Sequence, residues 1–191
     1  VHGLAGLMHL PIVLIGPIAA GKSTLGHAIA ERLGVRQVPL DAVRFYYFLQ
    51  SGFSFAEQAR QPDYVALARY WKPFEIDAVE RILQDFPNAV IDFGAGQAHF
   101  EDPARLARLQ AALAPLPNVF LLLPHADPDR CAALCLERDQ KRLKDRWDPA
   151  REQLIEQFVR SASFRSVAKH TVVTGDRPVD ASLEEVLALL A

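Results

Sequence analysis

Cysteine, methionine and tryptophan are scarce in this 191-residue chain, which holds 2, 1 and 2 of them. Two thiols cannot staple a disulfide scaffold. Cys131 and Cys135, four apart in a helical pattern, read as buried thiols of a reducing compartment rather than a metal site. An excess of one charge is lacking too, since 21 Lys+Arg stand against 23 Asp+Glu for a net charge of -2. That balance argues against a nucleic-acid binder or a membrane-surface binder and leaves room for local patches. Repeats, low-complexity tracts and a membrane span are absent. With 50% hydrophobic and 23% charged residues, the composition excludes wholesale disorder and collagen. The length is ample for one domain with a sizeable core.

Residues 3–20, GLAGLMHLPIVLIGPIAA, carry no charge and resemble an export signal at first sight. A signal needs a basic start and a cleavage site, and neither is evident. Cleavage would also destroy the motif that ends the run. Met8 is the sole methionine, and MHLPIVLIGP is a natural start for a first buried strand. Residues 1–7 therefore read as a leader, tag remnant or alternative start, ahead of a single domain over 8–191. The chain is expected to be cytoplasmic.

Apolar runs alternate with helix-period segments, the pattern of a parallel sheet with crossover helices. The expected strands are 9–15, 35–40, 88–93, 118–123 and 170–174, most of them nearly continuously apolar, as strands covered on both faces should be. Leu25, Ile29 and Leu33 recur every four residues before Gly34, which ends that helix. Asp-Pro pairs at 102–103, 127–128 and 148–149 are expected to open three helices, and Ser182 with Glu185 to cap the last. Two stretches exceed a minimal strand–helix alternation: the aromatic residues 42–86 and the Arg-rich residues 138–165. In a nucleotide-binding sheet, such surplus length covers the substrate site.

The decisive motif is Gly16-Pro17-Ile18-Ala19-Ala20-Gly21-Lys22-Ser23-Thr24, which matches GxxxxGK[ST] between an expected strand and an expected helix. Backbone N–H groups of such a loop form an anion nest, Gly16 and Gly21 permit close approach, Lys22 reaches the terminal phosphates and Ser23 ligates Mg²⁺. Asp41 follows the second strand, where a carboxylate can accept a substrate hydroxyl proton or organise Mg²⁺-bound water; it also suits a helix N-cap for 42–50. Asp92 ends the third strand, the place of a Walker B partner for the loop serine. Gly94-Ala95-Gly96 then lets the backbone approach substrate or phosphate, with Gln97 and His99 just beyond.

The segment Arg138 to Arg146 carries five basic and two acidic side chains. It reads either as a solvated helix face or as a lid whose arginines neutralise a transferring phosphoryl group. Arg138 and Arg142, four apart, share a helix face. Arg160 could grip a substrate carboxylate or phosphate in bidentate fashion, and Lys72, beside Trp71 and before Glu75, is a further candidate.

Taken together, the layout resembles the shikimate kinase branch of P-loop small-molecule kinases, from Leu10 to the last helix. The resemblance implies an α/β P-loop NTPase fold: a three-layer sandwich around a five-stranded parallel sheet, as in shikimate and nucleoside-monophosphate kinases. It adds a helical substrate-binding region at 42–86 and a lid at 138–150. It also implies ATP and Mg²⁺ as cofactors and a small-molecule hydroxyl acceptor as partner. Asp41 would contact the acceptor hydroxyl, Gly94 and Gly96 would touch the acceptor, and Arg138 to Arg146 would supply the lid. Arg160 would grip a carboxylate, and Lys72 with Glu75 would stand where the family has another substrate arginine. The chain departs from the pattern at Pro39, where the family has an acid, and at Ala95, where it has glycine. The lid lacks the family's Arg-Pro ending. Asp92, at a position the family leaves uncharged, is expected to take over the metal duty.

Two rivals stand beside a small-molecule kinase. One is a phosphotransferase acting on an antibiotic, nucleoside or sugar nucleotide, for which Asp41-Ala42-Val43-Arg44 and the ring-rich run around Phe45, Tyr46, Tyr47 and Phe48 speak; Arg44 then joins the substrate set. The other is a non-catalytic ATP-binding switch. The acceptor, the nucleotide base and the oligomeric state are left open by the sequence.

Overall fold

The computed structural model describes residues 10–190. The expected leader at 1–7 lies outside the described residues. Strands β1 (Ile12–Ile15), β2 (Arg36–Pro39), β3 (Ala89–Asp92), β4 (Val119–Leu123) and β5 (His170–Val173) form one parallel sheet, in the order β2-β3-β1-β4-β5. β1, β3 and β4 are buried along their whole length, which is why they read as unbroken apolar runs.

The helices are α1 (Lys22–Leu33), α2 (Leu40–Gln50), α3 (Phe55–Ala59), α4 (Tyr64–Asp85), α5 (Pro103–Leu113), α6 (Pro128–Leu143), α7 (Arg151–Val159), α8 (Ala162–Val167) and α9 (Val179–Leu189). Two 3-10 turns, Ala95–Ala98 and Lys144–Arg146, follow β3 and α6. Successive residues of β1 face opposite ways. Ile12 and Leu14 join the core beneath α1 and α9, whereas Val13 and Ile15 join the larger core that takes in α2, α4, α5, α7 and α8. The sheet is thus the middle of three layers.

Local chemistry sets most of the helix ends. Gly34 closes α1 in the left-handed region at φ 66°. Asp102 and Asp127 cap α5 and α6, each accepting from a backbone N–H three residues on at 2.9 Å. Three expected caps are corrected. α7 begins only at Arg151, because Asp148 accepts from the Ala150 N–H and the Tyr64 N–H and so ties the start of α4. α9 begins at Val179 behind Pro178, which leaves Ser182 buried one turn inside; Glu185 pairs instead with Arg177. α2 begins at Leu40, so Asp41 lies in its first turn rather than capping it.

The aromatic run is mainly core. Phe45, Phe48, Phe53 and Phe74 pack on one another at ring-centroid distances of 5.4–5.8 Å between α2, α3 and α4. Tyr46 and Phe55 are the exceptions, 65% and 49% exposed.

Candidate active site

β1 delivers the chain into the glycine loop at the carboxyl edge of the sheet, where open α/β sheets hold ligands. Gly16 stands at φ 144°, and a Cβ there would collide with the Leu122 carbonyl. Ala19 at φ 58° and Gly21 at φ 90° also take positive φ, turning the loop into α1 with its N–H groups unpaired by any side-chain cap. The Lys22 ammonium folds back to donate to the Gly16 and Pro17 carbonyls at 2.9 and 2.8 Å. Burial lowers its pKa below the ordinary lysine value, while Asp41 and Asp92 pull it upward.

Asp92 sits at the end of β3, in register with Leu14 of β1 and Pro39 of β2. A carboxylate missing from β2 at Pro39 is thus present one strand over. Its Oδ2 accepts from Gln37 Nε2 at 2.6 Å, and its Oδ1 lies 3.4 Å from Ser23 Oγ. Gln37 Nε2 also donates to the Ser23 carbonyl, and Gly26 leaves the room this needs. Burial raises the Asp92 pKa, against the hydrogen bond from Gln37 and the attraction of Lys22. A hydroxyl and a carboxylate oxygen at that separation suit a hydrated Mg²⁺ that takes its other ligands from phosphates and water. Among the described residues no cluster of His, Cys, Asp and Glu forms an all-protein metal site.

Opposite the loop, one stripe of α4 (Tyr64, Ala68, Trp71 and Glu75) lines the same cavity of about 640 Å³. The spacing is helical, and the stripe could have been found from its period. Ile18 to Thr24, Asp41, Arg44, Asp92, Ala95, Gly96, Arg138 and Arg142 line it as well. With Arg151 and Phe158 of α7, residues from six segments of the sequence converge on one chamber.

Asp41 Oδ1 accepts from Arg44 NH1 and from Gln97 Nε2, both at 3.1 Å. Gln97, fully buried, also accepts from the Gly94 N–H at 2.6 Å. The glycines do something other than admit substrate backbone contact: a Cβ on Gly94 would strike the Asp41 carboxylate, and one on Gly96 the Glu75 carboxylate. They make room for two acids. Lys72 does not line the cavity. Its ammonium donates to the Gly96 and His99 carbonyls at 2.6 and 2.7 Å and lies 2.9 Å from Glu75 Oε2, so it braces the turn from behind. His99 likewise faces away, with Nδ1 2.8 Å from Ser161 Oγ and its ring against Phe158. Burial first, and then Lys72, push its pKa down to about 4.

The expected lid is the end of α6 followed by the 3-10 turn Lys144–Arg146. Arg138 donates to the Gly175 carbonyl at 2.8 Å, and Arg142 to the buried Asp139 at 2.5 Å. Asp139 also receives two bonds from Arg151, at 2.7 and 3.2 Å. Burial disfavours the Asp139 charge, yet the two arginines outweigh it and hold the carboxyl below its usual pKa. Arg151, absent from the expected set, is buried, lies 4.1 Å over the Tyr64 ring and lines the cavity. Arg160 is a correction. It caps the end of α7, more than half exposed, and pairs with Asp129 away from the cavity.

A parallel sheet in this order, with a GxxxxGKS loop at its carboxyl edge and a carboxylate on the neighbouring strand, defines a P-loop nucleotide-binding fold. The sequence profile of shikimate kinase matches residues 18–191, and the chain belongs to that family of ATP-dependent small-molecule kinases. Among solved structures, the fold is similar to a shikimate kinase from Acinetobacter baumannii in complex with shikimate. The TM-score is 0.62 at 22% identity, over 93% of this chain and 90% of that one. A shikimate kinase from Bacteroides thetaiotaomicron gives 0.58 at 20%, over 93% and 96%. A gluconokinase from Sinorhizobium meliloti 1021 gives 0.55 at 18%, over 95% and 91%. No curated protein matches the sequence. No helix among the described residues is long and apolar enough to cross a membrane.

Proposed function

We propose that this chain transfers the γ-phosphate of ATP, with Mg²⁺, to a hydroxyl of a small molecule. The observation that carries this reading is that Lys22, Asp92 with Ser23, and Asp41 face one cavity from three different strand ends. Phosphoryl transfer needs little covalent work from a protein, so positioning and charge supply most of the rate. Residues Ile18 to Thr24 bind the phosphates. Lys22 exchanges its two carbonyl partners for phosphate oxygens, and Arg138 and Arg142 approach from the opposite side. Ser23 and Asp92 hold Mg²⁺, which when bound neutralises charge building on the phosphates. Gln37 fixes the Asp92 carboxylate for that duty.

Asp41 orients the acceptor hydroxyl and takes its proton, while Gln97 and Gly94 keep the carboxylate in place. Arg44, Ala95 and Gly96 complete the acceptor wall. In this reading residues 8–191 act as one kinase domain, with 42–86 as the acceptor-binding region and 138–150 as the lid. The cytoplasm, where ATP is plentiful, is its place.

The test is ADP release from Mg-ATP across a library of hydroxyl acceptors, with wild type beside Asp41→Asn. Release that appears only with an acceptor, and falls at least a hundredfold in Asp41→Asn, supports the reading. Equal release with and without every acceptor opposes it.

A further inference from the structure

The two cations that the family resemblance assigns to a substrate carboxylate are not free to hold one. Lys72 has its ammonium on two carbonyls and beside Glu75, and Arg160 faces Asp129 outside the cavity. The arginines that do reach the acceptor side each have a carboxylate on their fork already. Arg44 bonds Asp41, and Arg151 bonds Asp139 through Nε and one terminal nitrogen. Each guanidinium also lies on a ring, Arg44 at 4.0 Å over Trp71 and Arg151 at 4.1 Å over Tyr64, so these positions are fixed. An anionic acceptor would have to compete with those partners and face Asp41 and Glu75 across the same chamber.

Arg44 Nε, buried on this wall, lacks a hydrogen-bond partner, while Glu75 Oε2 has the Lys72 ammonium at 2.9 Å. The Glu75 side chain is 5% exposed. A buried donor left unpaired calls for a partner. Arg44 Nε needs an acceptor oxygen, and a hydroxyl oxygen is one that brings no negative charge to face Asp41 and Glu75. We propose that the acceptor is an uncharged polyhydroxyl compound, a polyol or hydroxylated ring without a carboxylate, bound by Asp41, Arg44, Glu75 and Arg151. The inference rests on the kinase reading above. In the step, a hydroxyl oxygen of that compound bonds to the γ-phosphorus and the bond from phosphorus to the β–γ bridging oxygen breaks. ADP leaves with the electron pair, and the hydroxyl proton passes to Asp41 and then to solvent.

Matched pairs test it: gluconate against glucitol, shikimate against its methyl ester, and a set of neutral hexoses and cyclitols against the corresponding acids. ADP release is read for each, and binding is read from Trp71 fluorescence in a Trp147→Phe background. Neutral members are expected to support release at least tenfold faster than their acids, and Glu75→Gln to raise their KM more than it lowers kcat. Faster release with the acids overturns the neutral acceptor and keeps the kinase. Binding of neutral members with no release from any compound keeps the pocket and removes the kinase. Neither binding nor release by any neutral member overturns the inference.

Discussion

The nucleotide half and the acceptor half of this cavity are built differently. In the proposed reading the nucleotide half is one continuous loop, Gly16 to Thr24, whose backbone would do most of the binding and whose key side chain, Lys22, is buried against its own loop. The acceptor half is assembled from α2, α4, the Gly94–Gly96 turn and the start of α7, and its charges hold one another in pairs. Backbone nests tolerate side-chain variation, whereas a paired-charge wall is remade by single substitutions at positions such as 41, 44 and 75.

Lys22→Ala strikes the nucleotide half hardest. Turnover should fall by about a thousandfold or more with the thermal midpoint nearly unchanged, as read by ADP release and by melting. Asp92→Asn should cut the rate by about a hundredfold and raise the Mg²⁺ concentration for half-maximal rate, since Ser23 alone would anchor the ion. Gly94→Ala tests the acceptor half separately. Its Cβ would displace the Asp41 carboxylate, so acceptor-dependent release should fall by about tenfold or more while nucleotide affinity holds.

His99 gives a smaller, pH-dependent effect on the bracing behind the turn. Its folded pKa is pushed down to about 4, so below the unfolded value the unfolded chain binds the proton that the fold refuses. Stability should therefore fall as pH drops from the unfolded histidine value toward 4. His99 contributes on the order of 2 kcal/mol to that loss after allowance for its partial exposure. Urea titrations at both ends of the window should show a smaller difference in His99→Gln. Arg160→Ala should change kcat/KM by less than about twofold, because an exposed pair with Asp129 contributes little.

Legibility in the sequence followed the same division. Strands β1, β3 and β4, Gly34 and the loop were readable because burial on both faces, a helix end and a glycine-rich turn each impose a contiguous pattern. Asp41 and Asp92 were readable as cavity residues because the ends of strands in such sheets open onto the ligand cleft. Arg151 was not, since what makes it a cavity residue is its bond to Asp139 and its place on Tyr64, neither near it in sequence. Gln37 was hidden in an ordinary alternating strand, and its role appears only when β3 lies beside β2. Lys72 and Arg160 had the right charge, but side-chain direction turned one toward backbone carbonyls and the other toward solvent. The Ser182 cap failed because Pro178 starts the helix a turn earlier.

The most direct test of the account follows the phosphoryl group itself. γ-Labelled ATP and Mg²⁺ are incubated with an acceptor that stimulates ADP release, using wild type and Asp41→Asn. The account predicts label on an acceptor hydroxyl oxygen in equal amount to the ADP formed, and its near-complete loss in Asp41→Asn. Label found only as inorganic phosphate, at a rate indifferent to acceptor and to Asp41, would contradict it.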